Sequence, residues 1–276
     1  MRSFNVIALM ILTVLLASCT SQRKLATAFI TEQTDIHVLL LPPQVILKKY
    51  YPVHPDSLAA REYDPLNLEA SQFIKDAKDS VLLGLFMSSL RKNLEAFDVK
   101  VYGPGDMEPF LNLDSLAYVF SVAQIEIMEY LNEEVQYAVL DTTVYEVGFE
   151  KVNLVHSQWF EFTELNHPEQ PMQVLYSAQY TGDIFDGKFR HNILTGEMNY
   201  EFQPYRVRFA DLYQLSDFAG SKNAQFIFDF LLNKYVDDHT KKSRRMVDYL
   251  QYDRDQHIIR RAYDDRFIRI NLPLED

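Results

Sequence analysis

One cysteine, eight glycines and one tryptophan in 276 residues narrow the available chemistry at once. With Cys19 alone, no intrachain disulfide can form and no cysteine-ligated zinc site can be assembled. Scarce glycine disfavours glycine-rich ligand loops and repeat architectures. The run Gly103-Pro104-Gly105 is a poor anion cradle because Pro104 has no N–H to donate, so it reads as a turn. There is no Gly-x-Ser-x-Gly elbow and no His-Glu-x-x-His, and no two of the seven histidines have the close spacing of a metal-binding helix. Positive charge is also short. Twenty-seven Lys and Arg against 39 Asp and Glu leave a net charge of −12, which argues against nucleic acid, because phosphate binding needs a basic footprint.

The long apolar run lies at the start of the chain. Residues 4–17, FNVIALMILTVLLA, follow Arg2 and fall short of the roughly 20 residues that a spanning helix requires. Length and position match the apolar region of a secretory signal. The run closes on Leu16-Ala17-Ser18-Cys19, which resembles the lipobox of signal-peptidase-II substrates in Gram-negative bacteria. That resemblance covers residues 1–19. It implies cleavage before Cys19, a diacylglycerol on its thiol, and a mature protein anchored in a membrane rather than spanning it. The same family's sorting rules imply an outer-membrane position, because residue 20 is Thr and not Asp. No acidic cluster follows Cys19, which implies a periplasm-facing domain.

The expected organisation is a signal peptide over 1–18, a polar tether over 19–33, an α/β domain over 34–240 and a basic extension over 241–276. With 47% hydrophobic and 13% aromatic residues the chain can bury a substantial core. DIHVLLL (35–41), stopped by Pro42-Pro43, predicts a buried strand, and the proline-bearing span 48–69 a surface loop. Ile74, Ala77, Val81, Leu85, Leu90, Leu94 and Phe97 recur at helical steps and predict a long amphipathic helix over 70–97. A strand follows at 99–102. Alternation predicts further strands: Ala123, Ile125 and Ile127 against Gln124 and Glu126, then Val174, Tyr176, Ala178 and Tyr180 against Gln173, Ser177 and Gln179. The stretch 143–164, with Trp159, is β-rich. A parity switch at Pro204 predicts a bulge within 200–209. Ala224, Ile227, Phe228, Leu231 and Tyr235 predict a second helix over 222–238, which the basic residues 241–250 could extend. Segments 258–263 and 266–272 read as a hairpin or as two short extended pieces. The fold class expected is α+β or mixed α/β, a largely antiparallel sheet packed by a long N-terminal helix and a C-terminal helix.

IHVLLLP (36–42), LGLFMSSLRKNLEAF (83–97), VKVYG (99–103), YVFSVAQIEI (118–127) and AQFIFDFLLNKYV (224–236) follow one another in an order that resembles the periplasmic α/β domain of certain envelope lipoproteins. These are the curli secretion-channel lipoprotein and the outer-membrane lipoprotein activators of penicillin-binding proteins. The resemblance is of element order, and it implies a non-enzymatic component that docks on a larger envelope machine.

Asp253-x-Asp255-x-His257 would share a strand face, yet reads as a solvated surface beside the arginines of the tail. Asp183-x-x-Asp186-Gly187 lacks the alternating ligands of a calcium loop and reads as a hairpin turn. Glu133-Glu134 and Asp237-Asp238 read as surface charge. No catalytic group, metal or cofactor is therefore expected. Residues 241–276 hold nine cations against seven acids. Within them Ile258, Arg260, Arg261, Arg266, Phe267, Ile268, Arg269 and Ile270 form a sticky, cationic segment suited to strand addition on a partner, or to folding back on the acidic body as an edge strand. The function expected is a membrane-anchored envelope protein that binds a protein partner. Glycan binding through the 36 Phe and Tyr rings is the alternative, and a hydrolase a more distant one.

Overall fold

In the computed structural model, residues 22–32, 35–113, 116–167, 169–240, 248–263 and 265–270 are described. They form a mixed α+β fold in which a seven-stranded sheet is the largest element. Strands β1 (His37–Leu41), β2 (Ile46–Tyr51) and β3 (Lys100–Tyr102) are parallel to their neighbours, whereas β4 (Ala117–Leu140), β5 (Thr143–Glu164), β6 (Gln173–Gly182) and β11 (Ile268–Ile270) run antiparallel to one another. The order is β11-β6-β5-β4-β1-β3, with β2 pairing β4 above β1. Two smaller ribbons join β7 (Ile184–His191) to β8 (Met198–Tyr205) and β9 (Tyr249–Asp253) to β10 (Ile258–Ala262). Four helices are present among the described residues: α1 (22–32), α2 (Asp79–Glu95), α3 (Met107–Leu111) and α4 (Phe209–His239).

Alternation along β4 and β5 turns Phe120, Phe160 and Phe162 to one face, where Phe162 and Phe230 of α4 meet edge-on at 4.8 Å. Phe86 of α2 stacks on His156 of the same face at 5.4 Å. Helices α2 and α4 cross where α4 carries Ser216, Ala219 and Gly220. A Cβ at Gly220 would lie 2.3 Å from the Phe86 carbonyl oxygen, so only glycine permits this approach.

Several boundaries differ from the sequence reading, each for a local reason. Residues 22–32, expected within a tether, are helical and bury Ala26 and Phe29 against Phe228 and Tyr235. Helix α2 begins at Asp79, not 70. The backbone N–H groups of Gln72, Phe73 and Ile74 donate instead to the buried carboxylate of Glu129, which holds that stretch outside the helix. Residues 48–51 belong to β2 rather than to a loop. Ala123 is exposed, because the register of β4 shifts between Val122 and Gln124 and takes it out of the Ile125 and Ile127 set. Asp183-x-x-Asp186-Gly187 is no turn: Asp186 and Gly187 lie inside β7, and the turn falls at 192–197. Pro204 sits in an unshifted register with Phe185, so the parity change at 204 marks the end of β8 rather than a bulge. Helix α4 starts at Phe209, thirteen residues early, because the Asp211 carboxylate accepts the Arg208 N–H at 2.7 Å and Gly220 packs instead of breaking the helix. Residues 241–247 lie outside the described residues, and 249–250 open β9 rather than extend the helix.

Beyond Tyr130 and Asn153 the β4–β5 hairpin has no sheet neighbour on either edge among the described residues. Its last ten cross-strand pairs, Leu131↔Val152 to Leu140↔Thr143, form an arm about 33 Å long at the usual strand rise. The β7–β8 ribbon backs one face of this arm through Phe149, which stacks on Phe185 at 4.4 Å.

Candidate functional site

Of the residues singled out in the sequence, Cys19 lies outside the described residues. The others separate into two places. Ile258, Arg260 and Arg261 are on β10, which pairs with β9. Arg260 is 2.9 Å from Asp253 and Arg261 is 3.0 Å from Asp248, so both guanidinium groups are engaged within their own hairpin. Asp253 is thereby committed to Arg260, and His257 Nδ1 lies 3.0 Å from the Tyr252 hydroxyl. Among the described residues no group of three or more His, Cys, Asp or Glu side chains is placed to hold a metal ion.

The second place is the edge of the main sheet. Phe267 is buried and meets Phe160 and Phe226 edge-on at 5.4 and 5.5 Å. This anchor lays Ile268, Arg269 and Ile270 along β6 as β11, with the Arg269 guanidinium over the Phe230 ring and that of Arg266 over the Tyr249 ring. The pairing is short: Ile268↔Tyr176 to Ile270↔Val174. From Ser177 to Gly182 no strand lies on the outer side of β6 among the described residues. Beside this open length is a groove of about 510 Å³ between β6, α4 and the tail, lined in part by Tyr180, Phe218, Lys222, Arg266 and Ile268. Tyr180 is 83% exposed at its rim. Gln179, also lining it, is buried and its Oε1 has no hydrogen-bond partner among the described residues. A buried amide oxygen without a donor is costly in a folded protein.

Neither a family model nor a curated protein matches this chain.

Beneath the groove runs a buried polar row. Asn223 Nδ2 donates to Gln158 Oε1 at 2.9 Å, and Ser177 Oγ donates to the same oxygen at 2.8 Å. His156 Nε2 is 3.2 Å from Ser216 Oγ, a spacing that a nucleophile and its base also show. The chemistry differs here. Ser216 gives its own proton to the Leu82 carbonyl at 2.8 Å, so its oxygen accepts from the ring, and both residues are fully buried. Burial pushes the imidazole down to about 3, which keeps it neutral. The pair joins α2, α4 and β5.

A further cavity of about 490 Å³ lies at the far end of α4. Lys234 sits there 2.7 Å from Glu164 and 3.0 Å from Asp238. Burial draws the Lys234 ammonium down, but the two carboxylates outweigh it and leave it raised. The Lys234 ammonium is thereby engaged by two carboxylates of its own chain.

Sequence reasoning found β6 as a strand but with its faces exchanged, since Leu175, Ser177 and Gln179 are buried and Ala178 and Tyr180 exposed, and it found Arg266 and Ile268 through the tail. It missed the open edge, Gln179 and Phe218. Alternation announces a strand without saying how long its neighbour is, so the mismatch between three residues of β11 and ten of β6 had no sequence signal.

Proposed function

We propose that this chain is a lipid-anchored envelope protein, held by Cys19 in the outer membrane with its domain facing the periplasm, and that it binds an extended segment of a protein partner along β6. The sheet with α2 and α4 as its helical layer serves as a rigid platform, without catalytic chemistry of its own. The observation that carries the binding half is the outer side of Ser177–Gly182, unpaired among the described residues, beside a groove partly walled by Tyr180, Phe218 and Ile268. An open strand edge presents backbone donors and acceptors that a partner strand satisfies, while pockets beside it select side chains. Among the described residues β11 pairs with 174–176 alone, and Arg266 and Ile268 line the groove beside the open length.

The anchor half rests on the resemblance of residues 1–19 to lipoprotein signals. No helix among the described residues is long and apolar enough to cross a membrane.

The binding half is tested with a photocrosslinking residue at Tyr180 in the full chain in its native envelope, with Leu111, 56% exposed at the end of α3 beside β1 on the other side of the sheet, as control. The expected result is a discrete protein adduct from 180 and none from 111. No protein adduct from 180, or the same adducts from both positions, would overturn it. Capture of polysaccharide in place of protein would favour the glycan alternative.

A further inference from the structure

The arm carries a second surface, independent of the β6 edge. Alternation places Glu133, Val135, Tyr137 and Val139 of β4 on the face opposite the β7–β8 ribbon, and their cross-strand partners Glu150, Gly148, Glu146 and Val144 share it. Val135, Tyr137, Val139 and Val144 are 54%, 72%, 63% and 55% exposed. Three apolar side chains in a row on β4 and a fourth beside them on β5, exposed on one face, are unusual for strand positions that could have been polar.

The acids on this face are equally out of keeping with folding alone. Glu133 stands directly across from Glu150, a like-charge pair that destabilises a hairpin. Neither carboxylate has an ion pair or hydrogen bond among the described residues, and both line a groove of about 540 Å³ at the base of the arm, walled by Pro52, Val53 and Leu131. Arg206 reaches the Glu150 carbonyl oxygen, but its charge is engaged by Asp183 at 2.9 Å.

We infer that this face is a docking surface for a basic, apolar segment of a partner protein. One Lys or Arg of that segment enters the groove between Glu133 and Glu150, and apolar side chains follow along the arm. The strand rise sets the spacing: about 7, 13 and 20 Å from the acid pair to Val135, Tyr137 and Val139. Charge selects this occupant over others. A second copy docked through the same face brings no Lys or Arg to the acid pair, and that face of roughly 330 Å² is small against the 800 Å² per partner of a stable complex. An anionic membrane surface is repelled by the acid pair.

The test uses the purified full chain and two synthetic peptides of equal length and apolar content, one with lysines and one with glutamates, followed by fluorescence anisotropy. The lysine peptide is expected to bind. The double variant Glu133→Gln, Glu150→Gln should weaken it about tenfold, as should Tyr137→Ala. The charge-matched control Asp217→Asn, Asp237→Asn, at exposed positions on α4, should leave binding unchanged. Equal loss in both double variants would reduce the effect to bulk charge and overturn the assignment. So would no binding of the lysine peptide, preferred binding of the glutamate peptide or of anionic vesicles, or a dimer that Tyr137→Ala abolishes. Crosslinking from Tyr180 is untouched by any of these outcomes, so this surface and the β6 edge stand or fall separately.

Discussion

The Asp229 carboxylate accepts the backbone N–H of Tyr252 at 2.8 Å, deep between α4 and β9. Gln225 and Asn233, one turn to either side on α4, complete the pattern. Gln225 Nε2 donates to the Tyr252 carbonyl, Asn233 Nδ2 donates to the Leu250 carbonyl, and Asn233 Oδ1 accepts the Leu250 N–H. Side chains at i, i+4 and i+8 share one helix face, and here they serve β9 as a neighbouring strand would. The tail hairpin is thereby tied to the body of the protein.

Burial pushes Asp229 up to about 8, against the hydrogen bonds from Tyr252 and Gln225 that pull it down. An acid whose folded pKa exceeds its unfolded value near 3.9 holds its proton longer in the folded chain. Its contribution is full below about pH 4 and is lost as pH rises toward 8. Urea unfolding between about pH 6.5 and 8 should show stability falling by up to ~1.4 kcal/mol per pH unit. Asp229→Asn should flatten that slope, and an unchanged slope would remove Asp229 as its source.

His156 acts in the opposite direction. Its folded pKa of about 3 lies below the ordinary 6.5. Its stabilisation is therefore full above about pH 6.5 and is lost as pH falls. Between about pH 4.5 and 6.5 the two groups oppose each other. His156→Gln removes one of them, so the variant should gain stability on acidification where the parent changes little. Unfolding free energies at both ends of that window check the sign.

Gly220 and Gly84 make a paired test of helix packing. Alanine at 220 sets a methyl group against the Phe86 carbonyl and 2.9 Å from the Leu90 nitrogen, whereas a Cβ at 84 meets nothing within 4 Å. Gly220→Ala should cost about 3 kcal/mol or more through forced separation of α2 and α4. Gly84→Ala, on an exposed face of α2, should gain about 0.5–1 kcal/mol from helix propensity. Thermal melting of the two variants in opposite directions is the expected outcome.

Glu129→Gln replaces an acceptor of three N–H groups with an amide that presents its own donors. A loss of about 3 kcal/mol is expected. Amide hydrogen exchange at Gln72, Phe73 and Ile74 should quicken before exchange in β4 does.

Much of the fold was legible because it rests on periodicity. Leu90 and Leu94 repeat at helical steps and Ile125 and Ile127 at strand steps, and all four are buried, whereas Val81 of the expected helical stripe is 40% exposed and Leu82 is buried in its place. What was illegible depends on partners distant in sequence. Nothing near Gln72 announces a carboxylate 57 residues away, and nothing near Asp183 announces that it accepts the N–H groups of both Val152 and Val207. The candidate sites follow the same division. Arg266 and Ile268 were visible as a cationic, apolar tail, whereas Glu133 passed as surface charge until its partner across the hairpin, Glu150, was known.

Anchorage through Cys19 is tested most directly by intact-mass measurement of the native protein extracted from membranes in detergent. A chain beginning at Cys19 and carrying a thioether-linked diacylglycerol is the expected result. A free thiol at that position, or a mature chain starting at any other residue, would contradict it.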